Sequence, residues 1–166
     1  MANKETNPFR IYEDGVEILD SIKAVFEANE VSLPERQYFA VGPENTVAYD
    51  CEQLTITHKN IADGMEYNDV PRKLSCGSVF SGIFYVELVR CIPSFSGSRS
   101  GKLKADIPDA EALDNFAKDM MRDAFLMKRV AEIVNDYSNG SVLYSVSYSE
   151  PSGSYQSVQL SIKRTL

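Results

Sequence analysis

The chain is poor in the residues that most enzymatic and metal chemistry needs. It has one histidine and three cysteines among 166 residues. Nothing near His58 marks a nucleophile or an orienting group, so it reads as a solvated loop histidine rather than a catalytic one. Cys51, Cys76 and Cys91 are odd in number and widely spaced, which excludes a disulfide framework and a zinc site. Cys51 and Cys91 sit in apolar strand patterns and are expected to be buried free thiols in a reducing cytosol, because free cysteine behaves as a small hydrophobe. No apolar run approaches the ~20 residues of a membrane span. The polar start Met1–Pro8 lacks the apolar core of a signal peptide, so the expectation is a chain made in the cytoplasm and free of membrane. Positive charge is also scarce: 17 Lys and Arg face 24 Asp and Glu, a net charge of −7. Such a chain is not built to grip nucleic-acid phosphates. It suits a surface that nucleic acid slides past, since like charges repel.

The carboxylates are scattered. Asp50 and Glu52 share a face of a predicted strand while Cys51 points the other way, so the three do not converge on a metal. Ser96–Gly101 has glycine spacing but lacks the Lys-Ser/Thr pair and the helix of a phosphate loop. No catalytic, cofactor-binding or metal-ligating residue is expected, and the chain reads as a structural or assembly protein, not an enzyme.

What is present is a strong alternation. Ser78–Pro93 reads as one long strand with large apolar residues on both faces, hence central and covered on both sides. Pro93 sets its end, because proline cannot donate to a ladder. A helix is expected from either Asn7-Pro8 or Asp14 to about Asn29, with Asp14-Gly15 weakening its first half. Pro34 ends anything helical. Gln37–Gly42 and Val47–Thr57 read as strands able to form a hairpin. Residues 58–77 are polar and without period, a long loop; 94–105 form a second, Ser- and Gly-rich loop carrying Arg99, Lys102 and Lys104. The longest helix opens near Pro108 and runs toward Tyr137. Its predicted stripe is Leu113, Phe116, Ala117, Met120, Met121, Ala124, Met127, Ala131 and Val134, while Phe125, Leu126 and Ile133 lie off it. Two one-sided strands close the chain, around Val142–Tyr148 and Val158–Lys163, joined by the turn-rich Glu150–Ser154.

Residues 1–166 thus form a single domain with a loose start at 1–7. Strand and helix do not alternate throughout, so the class is α+β: a mostly antiparallel sheet with two helices packed on one face. Apolar residues exceed one face of the long helix, which points to a neighbouring subunit. Candidate interface residues are Phe95, Arg99, Lys102 and Lys104 in the basic loop, Tyr67 in the polar loop, and Phe125 and Leu126 on the helix.

Three short runs carry a family resemblance: Leu33–Gly42 (LPERQYFAVG), Tyr49–Ile56 (YDCEQLTI) and Val86–Pro93 (VELVRCIP). Glu150–Ile162 (EPSGSYQSVQLSI) closes the pattern, with Ser154 where a second glycine is usual. Together they resemble the tail terminator proteins of long, non-contractile-tailed bacteriophages of actinobacteria. The resemblance spans roughly Leu33 to Ile162; the first helix and residues 58–77 carry no matching motif. It implies an α+β subunit of a six-membered ring that caps the tail tube, stops its growth and joins it to the head connector. The implied partners are further copies of the chain, the tail tube protein, the connector or stopper protein, and genomic DNA passing through without sequence-specific binding. The implied place is the virion, at the head–tail junction. A connector or stopper ring of the same junction is the second reading, and a small nucleic-acid-binding module using the basic loop is a third.

Overall fold

A computed structural model of the chain describes residues 9–42, 51–63, 80–93, 110–137, 142–152 and 154–165. Its elements are α1 (Arg10–Ala28), β1 (Arg36–Val41), β2 (Gln53–Asp63), β3 (Phe80–Cys91), α2 (Ala110–Tyr137), β4 (Val142–Tyr148) and β5 (Tyr155–Thr165). The strands form one five-stranded mixed sheet in the order β1-β2-β3-β5-β4. The class is α+β, with both helices on one face of the sheet.

β3 is the middle strand, as its two apolar faces predict. Phe84, Val86 and Leu88 point to the helix side and are fully buried; Glu87 and Val89 on the other side are buried as well. β2 and β5 flank it in antiparallel register, with Ile56 and Leu160 on either side of Val86. β4 pairs antiparallel with β5 and places Tyr144, Val146 and Tyr148 in line with Ile162, Leu160 and Val158. The one-sided pattern is realised in β5, where Val158, Leu160 and Ile162 sit wholly in the core; in β4 only Val146 is half-buried among the described side chains, and Tyr144 and Tyr148 stay exposed.

β1 departs from expectation. It runs parallel to β2, Gln37 beside Leu54 and Phe39 beside Ile56, so the two strands are not a hairpin. Residues 42–52 separate them. Eleven residues reach up to roughly 36 Å, more than the roughly 20 Å needed to return along a six-residue strand.

β2 is also shifted. Glu52 adopts a left-handed backbone (φ 59°), and β2 begins at the next residue, Gln53; Val47–Asp50 of the predicted strand lie outside the described residues. The strand then continues past Thr57 to Asp63, with a bulge between His58 and Asn60. His58 is thus a strand residue, not a solvated loop histidine: its ring lies 5.4 Å from that of Phe84. Residues 58–63 read as loop because they lack alternation, yet the long β3 pairs with all of them except Lys59 at the bulge. The rest of the predicted polar loop, and all of the basic loop at 94–105, lie outside the described residues.

α1 begins at Arg10 with Phe9 before it and no side-chain cap. Asp14 is therefore inside the helix and buried, not its cap. Gly15 does not weaken α1 so much as let it approach the sheet: a Cβ there would stand 2.9 Å from the Phe39 ring and 3.5 Å from that of Phe84. The helix buries Ile18, Ile22, Val25 and Phe26. It ends before Pro34, where Glu30 turns left-handed (φ 57°) and the Val31 N–H donates to Phe26 O at 3.0 Å. Asn29 Nδ2 caps Val25 O at 2.8 Å.

α2 has 28 residues, about 42 Å at 1.5 Å per residue. Its buried face contains Met120, Ala124, Met127, Ala131 and Val134 as predicted, together with Asp123, Leu126 and Val130. The face is wider than one stripe because α2 packs against α1 as well as against β4 and β5. Ala117 and Met121, predicted inside, are outside instead.

Candidate assembly surfaces

A polar junction ties the elements together at the end of β3. Arg90 Nε donates to Asp123 Oδ2 of α2 at 2.9 Å, Nη1 to Glu52 Oε2 at 2.8 Å, and Nη2 to Ser32 O at 3.2 Å. One guanidinium thus holds α2, the entry to β2 and the connection from α1 to β1. Asp123 is fully buried and takes two further bonds on Oδ1 from Arg122, at 3.2 and 3.0 Å. Burial pulls the Arg90 pKa down, but Asp123 and Glu52 outweigh it and hold the pKa above its ordinary value. The strained backbone of Glu52 is what brings its carboxylate to Arg90; a non-glycine residue in that region costs about 1–3 kcal/mol.

Beside this junction Cys51 and Cys91 form a disulfide, with Cα atoms 4.9 Å apart. The expectation of two buried free thiols is corrected. Gln53 lies opposite Val89, so the same register carried two residues past the end of the ladder sets Cys51 beside Cys91. That spacing was readable only once β2 and β3 were known to be neighbours in this register.

The face of the sheet away from the helices is polar at its centre. Glu87 is buried there and accepts from Ser157 Oγ at 2.6 Å and Gln159 Nε2 at 3.2 Å. Next to it, burial and then the negative charge of Glu87 push the Tyr85 phenol up to about 12. Lys59, at the bulge, stands over the Tyr85 ring at 5.7 Å. A cleft of about 270 Å³ opens beside Arg90, Cys91, Asn115 and Arg122. The arginines facing it are already paired with Glu52, Asp119 and Asp123. The arrangement is a structural tie, with its charges internally satisfied. Among the described residues no three His, Cys, Asp or Glu side chains gather so as to hold a metal ion, and no helix is long and apolar enough to cross a membrane.

Among the described residues, large apolar side chains reach the outer surface on the β1 side, on β4 and on α2, besides Phe9 ahead of α1. On the β1 side these are Tyr12, Tyr38, Phe39 and Val41, the last 78% exposed, with the Tyr12 and Phe39 rings 5.5 Å apart. On β4 they are Leu143, Tyr144 and Tyr148. On α2 they are Met121 and Phe125, 64% and 67% exposed and one turn apart. Of the predicted interface residues, Phe125 is on the surface. Leu126 faces inward, 4% exposed in the chain's own core, because the second buried row of α2 passes through it. Phe95, Arg99, Lys102, Lys104 and Tyr67 lie outside the described residues. Sequence reasoning missed the β1 and β4 surfaces; the signal was present in the aromatic, almost uncharged runs RQYFAV and VLYSVSY. No protein-family model and no curated protein matches this chain.

Proposed function

We propose that this chain is a structural subunit of a long, non-contractile phage tail, closing into a ring that caps the tail tube, ends its elongation and joins it to the head connector. The reading starts from the resemblance of Tyr49–Ile56, Val86–Pro93 and Glu150–Ile162 to tail terminators. The observation that carries it further is an open sheet with exposed aromatic and aliphatic side chains at both outer strands. Exposed apolar side chains gathered along an edge strand suit a place where another protein sits. Two different surfaces at opposite ends of one subunit suit a head-to-tail contact, which closes into a ring when the rotation allows. A net charge of −7 suits a passage through which DNA moves without sticking. The Arg90 junction and the disulfide would stiffen the subunit against the load at such a joint.

Electron microscopy of particles assembled without the protein tests the reading. Tails of uncontrolled length are expected. Filled heads that leak DNA from normal tails would move the protein to the stopper ring of the same junction. Normal, leak-free particles would sink both.

A further inference from the structure

Among the described residues the sheet has two outer strands, β1 and β4. Natural edge strands are usually blunted by lysine, proline or inward charge. β1 has one charged residue, Arg36, at its start, and β4 has none. Both instead expose aromatic and aliphatic side chains: Tyr38, Phe39 and Val41 on one, Leu143, Tyr144 and Tyr148 on the other. In a chain of net charge −7, these are stretches where two copies can approach without repulsion.

The strands also match in direction and register. β1 runs with β2, and β2, β3, β5 and β4 alternate, so β1 and β4 run in opposite senses. Copies related by rotation about an axis along the strands keep their sense. β1 of one copy would therefore meet β4 of the next in antiparallel pairing, the same ladder that joins β2, β3, β5 and β4. Six residues face seven. Cross-sheet rows line up the side chains too. Val41 is level with His58, Phe84, Ile162 and finally Tyr144, all on the helix side. Phe39 is level with Ile56, Val86, Leu160 and Val146 in the same way. Continuing a row past either edge sets apolar against apolar on the same face.

We propose that copies of this chain join edge to edge, β1 of one to β4 of the next, so that the sheet runs unbroken around the ring. The proposal rests on the ring reading above and names its contact. The occupant of each edge is a second copy, because each edge supplies the length, direction and side chains that the other lacks.

The test is sedimentation of the full chain and two variants, Val41→Lys and Tyr144→Lys, with circular dichroism and melting to confirm folding. Wild type is expected to self-associate with rising concentration. Each variant alone should lose association at least 10-fold. An equimolar mixture of the two retains one good β4 edge on the first and one good β1 edge on the second, so it should form a one-to-one dimer and stop there. That dimer also shows that both variants fold. Three results overturn the edge contact. One is wild type that stays monomeric throughout. Another is association that persists in one variant and is lost in the other, the mark of a two-fold pairing of like edges. The last is two variants that both keep wild-type association, which leaves the ring reading standing and moves its contact elsewhere, for instance to Phe125. Failure of the ring reading itself is seen separately, in the tail lengths described above.

Discussion

At the scale of single residues the chain's organisation turns on Arg90. Removing one member of a buried ion pair strands the other charge and costs roughly 3–5 kcal/mol. Asp123 would keep Arg122, so Arg90→Ala is expected at the low end, about 3 kcal/mol, read as a shift of the urea midpoint. Arg90→Lys keeps the charge but not the three-way fork, and should fall between Arg90→Ala and wild type. Tyr85 gives a pH signature. Its folded pKa is raised to about 12 from 10.0, so the fold favours the protonated phenol. The associated stability is complete below pH 10 and is lost as pH climbs toward 12. Urea midpoints measured across that window should fall in wild type and fall less in Tyr85→Phe. The disulfide is checked by counting thiols in denaturant without reductant: pairing of Cys51 with Cys91 removes two of the three. Its loop spans 40 residues, and the chain-entropy argument places its contribution at up to about 4 kcal/mol. Cys51→Ser with Cys91→Ser should lower the melting temperature accordingly, and reductant should then have no further effect.

At the scale of elements, Gly15 is where a helix and an edge strand meet. Alanine in mid-helix gains about 1 kcal/mol over glycine. Here its Cβ would press on Phe39, a partly exposed ring that can swing aside, so Gly15→Ala should stay within about 1 kcal/mol of wild type. Gly15→Val adds bulk toward Phe84, which is locked in the core, and should cost roughly 1–3 kcal/mol in thermal unfolding. This is also where reading from sequence succeeded and failed. The central strand, the long helix and the one-sided β5 are legible because their apolar periodicity is local; β4 alternates as well, yet as an outer strand it leaves Tyr144 and Tyr148 exposed. The parallel entry of β1 was not, because strand direction depends on how far the connection travels, not on the strand's own residues. The start of β2 was misplaced because Glu52 sits left-handed, a state with no signal in a run that alternates well. Leu126 reads as outward when one stripe is counted, whereas α2 packs against α1 as well as the sheet and buries two rows. The assembly surfaces were half legible: Phe125 was found from the helix, while the edge strands look apolar in sequence whether buried or exposed.

At the scale of the whole molecule, charge separates the assembly reading from nucleic-acid binding. Every copy carries a net charge of −7, so copies repel at long range. The edges proposed to meet hold a single charge between them, Arg36, so little direct attraction is lost when salt is added. Screening shortens the reach of the repulsion from roughly 10 Å at 0.1 M salt to roughly 3 Å at 1 M. Apolar burial at the edges is not weakened by this. Self-association should therefore strengthen as salt rises. A nucleic-acid module acting through Arg99, Lys102 and Lys104 behaves in the opposite way, because each phosphate contact releases counterions and binding falls steeply with salt. Sedimentation of the chain alone and of the chain with duplex DNA, along one salt series from 0.1 to 1 M, sets the two against each other. The expected result is association that grows along the series with no DNA carried at any point. DNA that co-sediments at low salt and is shed as salt rises would replace the conduit reading with a binding one.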